Sequence, residues 1–305
     1  MSSPLLRGPR WVDVRLHRTT LWTVLGLIVL AAVLTGYFRW AAATYPATSD
    51  GCGTSTGPCE NTFLGFASAR DLLYQFVQSY SLGMLLIPVL IGAFVAGPVI
   101  ARELESGTHK LAWTQSVSPA RWLMSKLAVF AVTSVAGGLA LMAVFWGGRS
   151  GVENMWNLSW ADRGVYEAIG PVFVAYCLLG VMVGALVGLL VRRTLVALAI
   201  GGLVTGVVLL IMGSVRWHLF PATTVSGPAS GTSTSYTMHE TPMDSIIVNM
   251  GVRNATGDTK VTRWYADVHP HSHFWYVQFI ETGIVLALTA AAAYAAFRVL
   301  RRRTA

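Results

Sequence analysis

Three histidines alternate in a short segment of the chain, at His269, His271 and His273. An extended backbone would place their side chains on one side, and imidazole nitrogens are good ligands for zinc and copper. Pro270, the predicted exposure of this loop and the lack of a fourth ligand argue against a bound ion. We therefore expect no metal site. If the chain did bind an ion, the three histidines would be its candidate ligands.

Cys52 and Cys59 share a loop rich in Gly, Ser, Thr and Pro, whereas Cys177 lies inside an apolar run. On the oxidising side of a membrane, a disulfide between the first two would stiffen the loop, and two free thiols are the alternative. No cysteine spacing matches a zinc or redox motif.

The sequence lacks the motifs of nucleotide and hydrolytic chemistry. It has no Gly-x-x-x-x-Gly-Lys-Ser/Thr loop for phosphates and no His-Glu-x-x-His helix for zinc. The glycines around Ser150 have the wrong spacing for a Gly-x-Ser-x-Gly nucleophile. We therefore predict that the chain is not an enzyme and has neither catalytic residues nor a cofactor of its own.

Composition assigns the chain to the membrane. Hydrophobic residues make up 54% and charged residues 12%, about half the charged share of ordinary globular domains. Such a chain cannot cover itself with polar surface, so lipid must be its solvent. The net charge of +8 lies in short clusters at the ends of apolar runs, which argues against a nucleic-acid partner.

Six apolar runs are long enough to cross a bilayer, which takes about 20 residues in a helix. We predict an all-α integral membrane protein with one transmembrane domain over residues 1–305. The predicted spans are 19–38, 79–101, 126–148, 170–191, 194–215 and 275–297, and the predicted outer loops are 39–78, 149–169 and 216–274.

The distribution of basic residues predicts the orientation. Fourteen of the 22 Lys and Arg residues, but only three of the 14 acids, flank the same side of these spans. That side should face the cytosol. Both termini are then cytosolic, and the large loop between spans five and six is extracellular. The expected location is the plasma (inner) membrane, in contact with lipid.

Gly180, Gly184 and Gly188 repeat every four residues along span four. Small residues at this spacing let helix backbones approach closely in lipid. We expect this groove to pack against another span of the same chain, and packing across a dimer interface is the alternative.

Glu281 is the one residue among all Asp, Glu, His and Arg that is predicted inside a span, about one turn from its outer end. Ion-coupled transporters carry acids, histidines or arginines in the membrane as relays. A single carboxylate near the interface makes no proton pathway. Any uphill transport must therefore draw its energy from a partner.

The cytosolic loop after span two has helix boundaries at both ends. Ser106-Gly107 would end span two, and Ser118-Pro119 would begin span three with Ser118 as its N-cap. His109–Gln115 is long enough for a short helix between them. The loop is predicted to be a helical elbow that transmits a push, or alternatively an interfacial turn with tryptophans at the headgroups.

The segment Ala101–Ser116, ARELESGTHKLAWTQS, with Trp122 and Lys126 after it, resembles the type-2 permeases of ATP-binding-cassette (ABC) exporters. The start of span six, FWYVQFIETG, is also similar to them. The resemblance covers nearly the whole chain. It implies an interfacial helix at Arg10–Thr19 and an external lid before span six.

The resemblance also implies which residues carry function. A coupling helix would dock on the ATPase through Arg102, Glu103, Glu105, Gly107, Thr108, His109, Lys110, Trp113 and Thr114. The translocation path and outer gate would involve Glu281, Gln278 and Phe274. On the alternative interpretation, Glu103 and Glu105 are solvated charges paired with Arg102 or Lys110, Trp113 is a headgroup anchor, and Glu281 satisfies a backbone or hydroxyl partner.

These expectations describe the permease subunit of an ABC exporter. It would move an amphipathic or hydrophobic small molecule, peptide or lipid outward as a homodimer with a second permease subunit. Two copies of a separate ATPase subunit would bind ATP and Mg and supply the energy. The alternatives are a polytopic receptor or accessory subunit that senses an extracellular ligand, and a metal-dependent membrane enzyme.

Overall fold

A computed structural model of the protein describes residues 18–44, 69–108, 118–150, 152, 158–228, 244–254 and 261–304. Six of its helices are long and apolar enough to cross a membrane, as predicted. Span one is α1 (Arg18–Thr44), span two is α2 (Ala69–Phe94) with α3 (Ala96–Glu105), span three is α4 (Pro119–Arg149), span four is α6 (Val172–Val191), span five is α7 (Thr194–Val215) and span six is α8 (Phe274–Thr304).

Several spans are longer than their apolar runs. Span one continues to Thr44 and span two begins at Ala69, so the predicted outer loop 39–78 is too long. A helix ends where a stop signal or an alternative set of hydrogen bonds appears, not where hydrophobicity ends. Arg39, beyond the apolar run, donates hydrogen bonds to the carbonyl of Gly147 and to Ser150 Oγ at 2.6 Å.

The all-α prediction is wrong for the segment between spans five and six. This segment contains β1 (Thr223–Pro228), β2 (Ser245–Asn254) and β3 (Val261–Pro270), which form an antiparallel sheet in the order β1-β3-β2. In β3, Trp264, Ala266 and Val268 are buried and alternate with more exposed residues. This two-residue period is a strand signal within the predicted outer loop 216–274.

The predicted loop 149–169 also contains a helix. The short helix α5 (Val165–Ile169) precedes span four, and Gly170 separates the two. All five residues of α5 are buried. Apolar packing against the bundle thus holds a turn of helix where the sequence suggested a solvated connection.

We call the end where spans one, three and five begin the basic end, and the opposite end the sheet end. The basic end carries exposed arginines on several helices, including Arg18, Arg121 and Arg193. The positive-inside rule favours a cytosolic location for this end.

Span four is the most buried span, and its glycines contact span two within the same chain. A Cβ added at Gly184 would lie 2.8 Å from the carbonyl oxygen of Gly92 and 3.1 Å from the amide nitrogen of Gly97. One at Gly188 would lie 2.5 Å from the carbonyl oxygen of Gly97, and one at Gly180 would lie 2.5 Å from that of Pro88. The two backbones therefore touch without intervening side chains.

Span two is interrupted at Val95, between α2 and α3. Pro88 lies inside α2 and cannot donate a backbone hydrogen bond. The Val95 amide still donates to the Ile91 carbonyl at 3.0 Å, so a helical hydrogen bond continues across the break.

Replacing Gly184 with alanine should destabilise the protein by about 1–3 kcal/mol, because the new methyl group would collide with backbone atoms of span two. The matched control is Gly83→Ala in α2, where an added Cβ meets nothing within 4 Å. That control should be neutral or stabilising, since alanine is the better helix former. Thermal unfolding in detergent compares the two variants, and equal melting temperatures would contradict the contact.

Candidate functional site

A buried cluster of three charged side chains lies at the sheet end of the bundle. Arg216, just after span five, donates from Nε to Glu281 Oε2 at 2.7 Å and from Nη2 to Glu281 Oε1 at 2.9 Å. The same Nη2 donates to Glu167 Oε1 at 2.6 Å. All three residues are at most 2% exposed. One guanidinium thus joins span five to span six and to α5.

Neutral groups complete the hydrogen bonds of this cluster. Tyr176 of span four donates its hydroxyl to Glu281 Oε1 at 2.7 Å, and the Gly164 amide donates to Glu167 Oε2 at 2.7 Å. Gly164 has φ +92°, and a Cβ there would lie 2.7 Å from the Ser81 carbonyl. Only glycine fits this turn without strain, so it presents its amide to Glu167.

The Tyr166 ring lies under the guanidinium of Arg216, with 3.9 Å between Cζ and the ring centroid. Burial, and next the negative charge of Glu281, raise the pKa of the Tyr166 phenol above its usual value. Its hydroxyl is buried and has no hydrogen-bond partner among the described residues. In the preceding loop, burial raises the pKa of Asp162, and the bond from the Ser159 amide at 2.9 Å opposes that rise.

Buried charges are tolerated only when they are paired and hydrogen-bonded, because transfer from water is costly. Here two carboxylates share one guanidinium, with a hydroxyl and an amide as further donors. The arrangement holds three spans and α5 in one register. These bonds therefore stabilise one arrangement of the helices, and they would have to break or change partners if the helices moved.

Gln278 and Phe274, the other predicted path residues, lie beside this cluster. Gln278 donates to the Tyr166 carbonyl at 2.7 Å and accepts from the Val172 amide at 3.4 Å, where α5 meets span four. Gly170 leaves the space that the Gln278 side chain occupies. Phe274 packs edge-on against Tyr166 at 5.6 Å between ring centroids.

Glu167 and Arg216 were not among the predicted site residues, and both lie in predicted outer loops. Arg216 is one of eight basic residues on this side of the spans, and Arg39 and Arg149 likewise follow apolar runs directly. The sequence carried no signal that distinguished Arg216 from them, because its carboxylate partners become neighbours only in the folded bundle.

The three histidines do not converge. His269 Nε2 lies 3.0 Å from the Trp217 carbonyl, which can only accept, so Nε2 carries the proton. Its Nδ1 lies 3.1 Å from Nδ1 of His273, whereas the His271 ring stacks on Phe274. Among the described residues, no group of three or more His, Cys, Asp or Glu side chains could hold a metal ion.

The second candidate site is the elbow at the basic end, where span two ends. Glu103 accepts from Lys126 Nζ at 2.7 Å and from Trp122 Nε1 at 3.2 Å, both on span three. Glu105 accepts from the Thr194 amide at 3.1 Å and from its hydroxyl at 2.8 Å, at the start of span five. The two carboxylates therefore join the end of span two to two other spans.

The remaining coupling candidates surround this junction or lie beyond it. Arg102 is exposed, and Gly107 has φ +74°, a left-handed conformation that ends the helix. Thr108 donates to the Glu103 carbonyl at 3.4 Å. His109, Lys110, Trp113 and Thr114 lie outside the described residues, as do Cys52, Cys59 and residues 10–17 of the predicted interfacial helix.

Residues 24–216 match the family described as ABC-2 membrane transporter related, which is well over half of the chain. The chain belongs to this family. It is a multi-pass membrane protein of the ABC permease type, and the match extends from span one through Arg216. No curated protein and no solved structure matches the chain. The sheet and span six lie beyond the matched residues.

Removing the guanidinium in Arg216→Met should destabilise the permease by about 3–5 kcal/mol, because two carboxylates are left buried without a cation. Arg163→Met, at an exposed arginine of the same end, is the control and should leave the melting temperature nearly unchanged.

The triple variant Arg216→Met/Glu167→Gln/Glu281→Gln separates charge from packing, since it removes all three charges and keeps similar volumes. It should recover a large part of the lost stability in thermal unfolding measurements. A triple variant no more stable than Arg216→Met alone would show that the side chains matter for shape and not for charge.

Proposed function

We propose that this chain is the permease subunit of an ATP-driven exporter, with the basic end facing the cytosol and docked on a separate nucleotide-binding subunit. ATP-driven closure of the partner would push the elbow after span two and switch the path from inward-facing to outward-facing. Two permease copies would enclose the path in the plasma membrane.

The junction of Glu103 and Glu105 with spans three and five is the observation that supports this proposal. An interfacial turn that only rests on headgroups has no need of such anchoring. Lys126 is 3% exposed, and its bond to Glu103 is a partly buried ion pair with ordered geometry. A force applied near Gly107 would therefore reach three spans at once.

The place of Glu281 supports an external energy source. A proton relay needs a carboxylate that can gain and lose a proton along a connected path. Glu281 is instead held by Arg216 and Tyr176 in a fully buried cluster. The carboxylate inside the membrane thus has a structural partner, and uphill transport would depend on the ATPase.

The exported compound is proposed to be amphipathic or hydrophobic. The spans expose large apolar side chains along their length, including Leu203 and Leu210 on span five and Leu82 and Leu86 on span two. A path assembled from such faces of two copies would have apolar walls. A small molecule, a peptide or a lipid would meet this requirement.

The folded sheet between spans five and six favours a second candidate, a receptor or accessory subunit that senses an extracellular ligand. Purification from the native membrane distinguishes the two. A stoichiometric ATPase that co-purifies with the chain supports the exporter, and its absence favours the receptor.

Reconstituted in vesicles without a partner, the chain should move no apolar substrate against a gradient, because no energy source is available to it. Addition of the co-purified ATPase with ATP and Mg should start the transport of that substrate. Proton- or sodium-driven accumulation by the chain alone would contradict the proposal.

Glu105→Gln should lower the amount of substrate moved per ATP hydrolysed several-fold, because a neutral amide oxygen accepts the two hydrogen bonds from Thr194 more weakly than the carboxylate does. Thr194→Val removes the hydroxyl half of the same contact and should lower this ratio in the same direction. The double variant should be little worse than the worse single variant, since both changes act on one interaction.

The ratio of transport to ATP hydrolysis, with co-purified ATPase as the assembly control, measures this effect. If Glu105 instead acted by touching the ATPase, Thr194→Val would transport normally and Glu105→Gln would release the partner. That result would contradict the anchoring role of the Glu105–Thr194 contact.

A further inference from the structure

A cavity of about 350 Å³ lies between spans one, two and three, away from both polar sites. Its walls are mostly aliphatic and aromatic, and its polar side chains are hydroxyls without charge. Among the lining residues are Val24, Leu27, Ile91, Phe94, Phe130 and Thr133. An occupant of this space would be hydrocarbon, because a charged or strongly polar group would lose its hydration without compensation.

The cavity begins near the basic end and extends to the middle of the bundle. The lining residues closest to that end are Leu21, three residues after Arg18, Val129, ten residues after Pro119, and Val95, ten residues before Glu105. They lie about one to three helical turns from the ends of their helices. From there the lining continues to Ile87 on span two and to Leu141 on span three. An acyl chain that enters from the basic end would therefore run toward the middle of the membrane.

Each of the three spans that form the cavity carries an exposed arginine toward the basic end. These are Arg18 on span one, Arg102 on span two and Arg121 on span three. Along the helix axes they lie about 5–12 Å from the nearest lining residue, at 1.5 Å per residue. Arginine binds phosphate through paired N–H donors, and basic clusters at a membrane surface attract anionic lipids.

We propose that this cavity holds one acyl chain of an anionic phospholipid, whose phosphate lies among Arg18, Arg102 and Arg121. Hydrocarbon walls next to exposed cations on the same three helices match the two halves of such a molecule. This site is independent of the exporter proposal, because lipid would bind to the permease with or without an ATPase.

The lipid would contact the part of span two that is interrupted. The cavity-lining residues of span two are Ile87, Leu90, Ile91, Phe94 and Val95. They extend from the residue before Pro88 to the break between α2 and α3. On the other face of this segment, Gly92 touches span four. An acyl chain would therefore contact the break from the face of span two opposite span four.

Native mass spectrometry of the purified full chain, titrated with dioleoyl phosphatidylglycerol, tests the site. Thr133→Phe puts a phenyl ring into the cavity and should weaken the tightest-binding lipid at least tenfold. Val132→Phe is the matched control. Val132 directly precedes Thr133 on span three, but its side chain is 68% exposed and does not line the cavity. It should bind as the wild type does.

The triple variant Arg18→Gln/Arg102→Gln/Arg121→Gln tests the headgroup half of the site. It should lose most of the several-fold preference for phosphatidylglycerol over phosphatidylcholine that the wild type is expected to show.

Thr133→Leu fills less of the cavity than Thr133→Phe does, and it should weaken lipid binding to an intermediate degree. Melting temperatures in detergent without added lipid show that each variant is folded.

Three results would overturn the proposal. The first is equal lipid affinity in Thr133→Phe and Val132→Phe, and the second is equal binding of the two phospholipids to the wild type. The third is a non-lipid apolar compound, extracted from wild-type protein and absent from Thr133→Phe, which would make the cavity a substrate site. None of these results depends on ATP hydrolysis, so the exporter proposal would stand or fall separately.

Discussion

The close approach of spans two and four is the constraint on which the rest of the structure depends. Backbone atoms of Gly92 and Gly97 occupy the space where side chains at Gly184 and Gly188 would lie. In lipid there is little hydrophobic force between helices, so such close contacts are a main source of association. Both halves of span two are docked in this way. The position of the elbow that follows α3 is therefore determined by span four.

The two polar clusters each take their partners from different helices, at opposite ends of the bundle. Arg216 and Lys126 are buried charges and need partners, whereas Glu105 is exposed and joins two helices without being withdrawn from water. Glu103 and Glu105 join span two to spans three and five, and Arg216 joins span five to span six and α5. The charges thus set which helices are neighbours at each end, whereas the glycines set how close the middle can be.

The six spans were predictable because the bilayer imposes a minimum length on an apolar helix. The pairings were not predictable, because Arg216 and Glu167 are 49 residues apart and only the folded bundle brings them together. The sheet was missed for a different reason. The alternating Trp264, Ala266 and Val268 carried a strand pattern, but the pattern is short and lies within the predicted outer loop 216–274. Glu105 was recognised as important, yet its partner Thr194 follows only from the fold.

Span five connects the two polar clusters. It begins at Thr194, which Glu105 holds, and ends just before Arg216, which holds Glu281 and Glu167. Its 22 residues extend about 30 Å, roughly the thickness of the hydrocarbon layer. An α-helix of this length resists compression, and its hydrogen bonds are internal. A displacement of the elbow would therefore move Arg216, at the opposite end of span five. That connection gives the proposed ATPase a physical route to an outer gate without any ionisable relay between them.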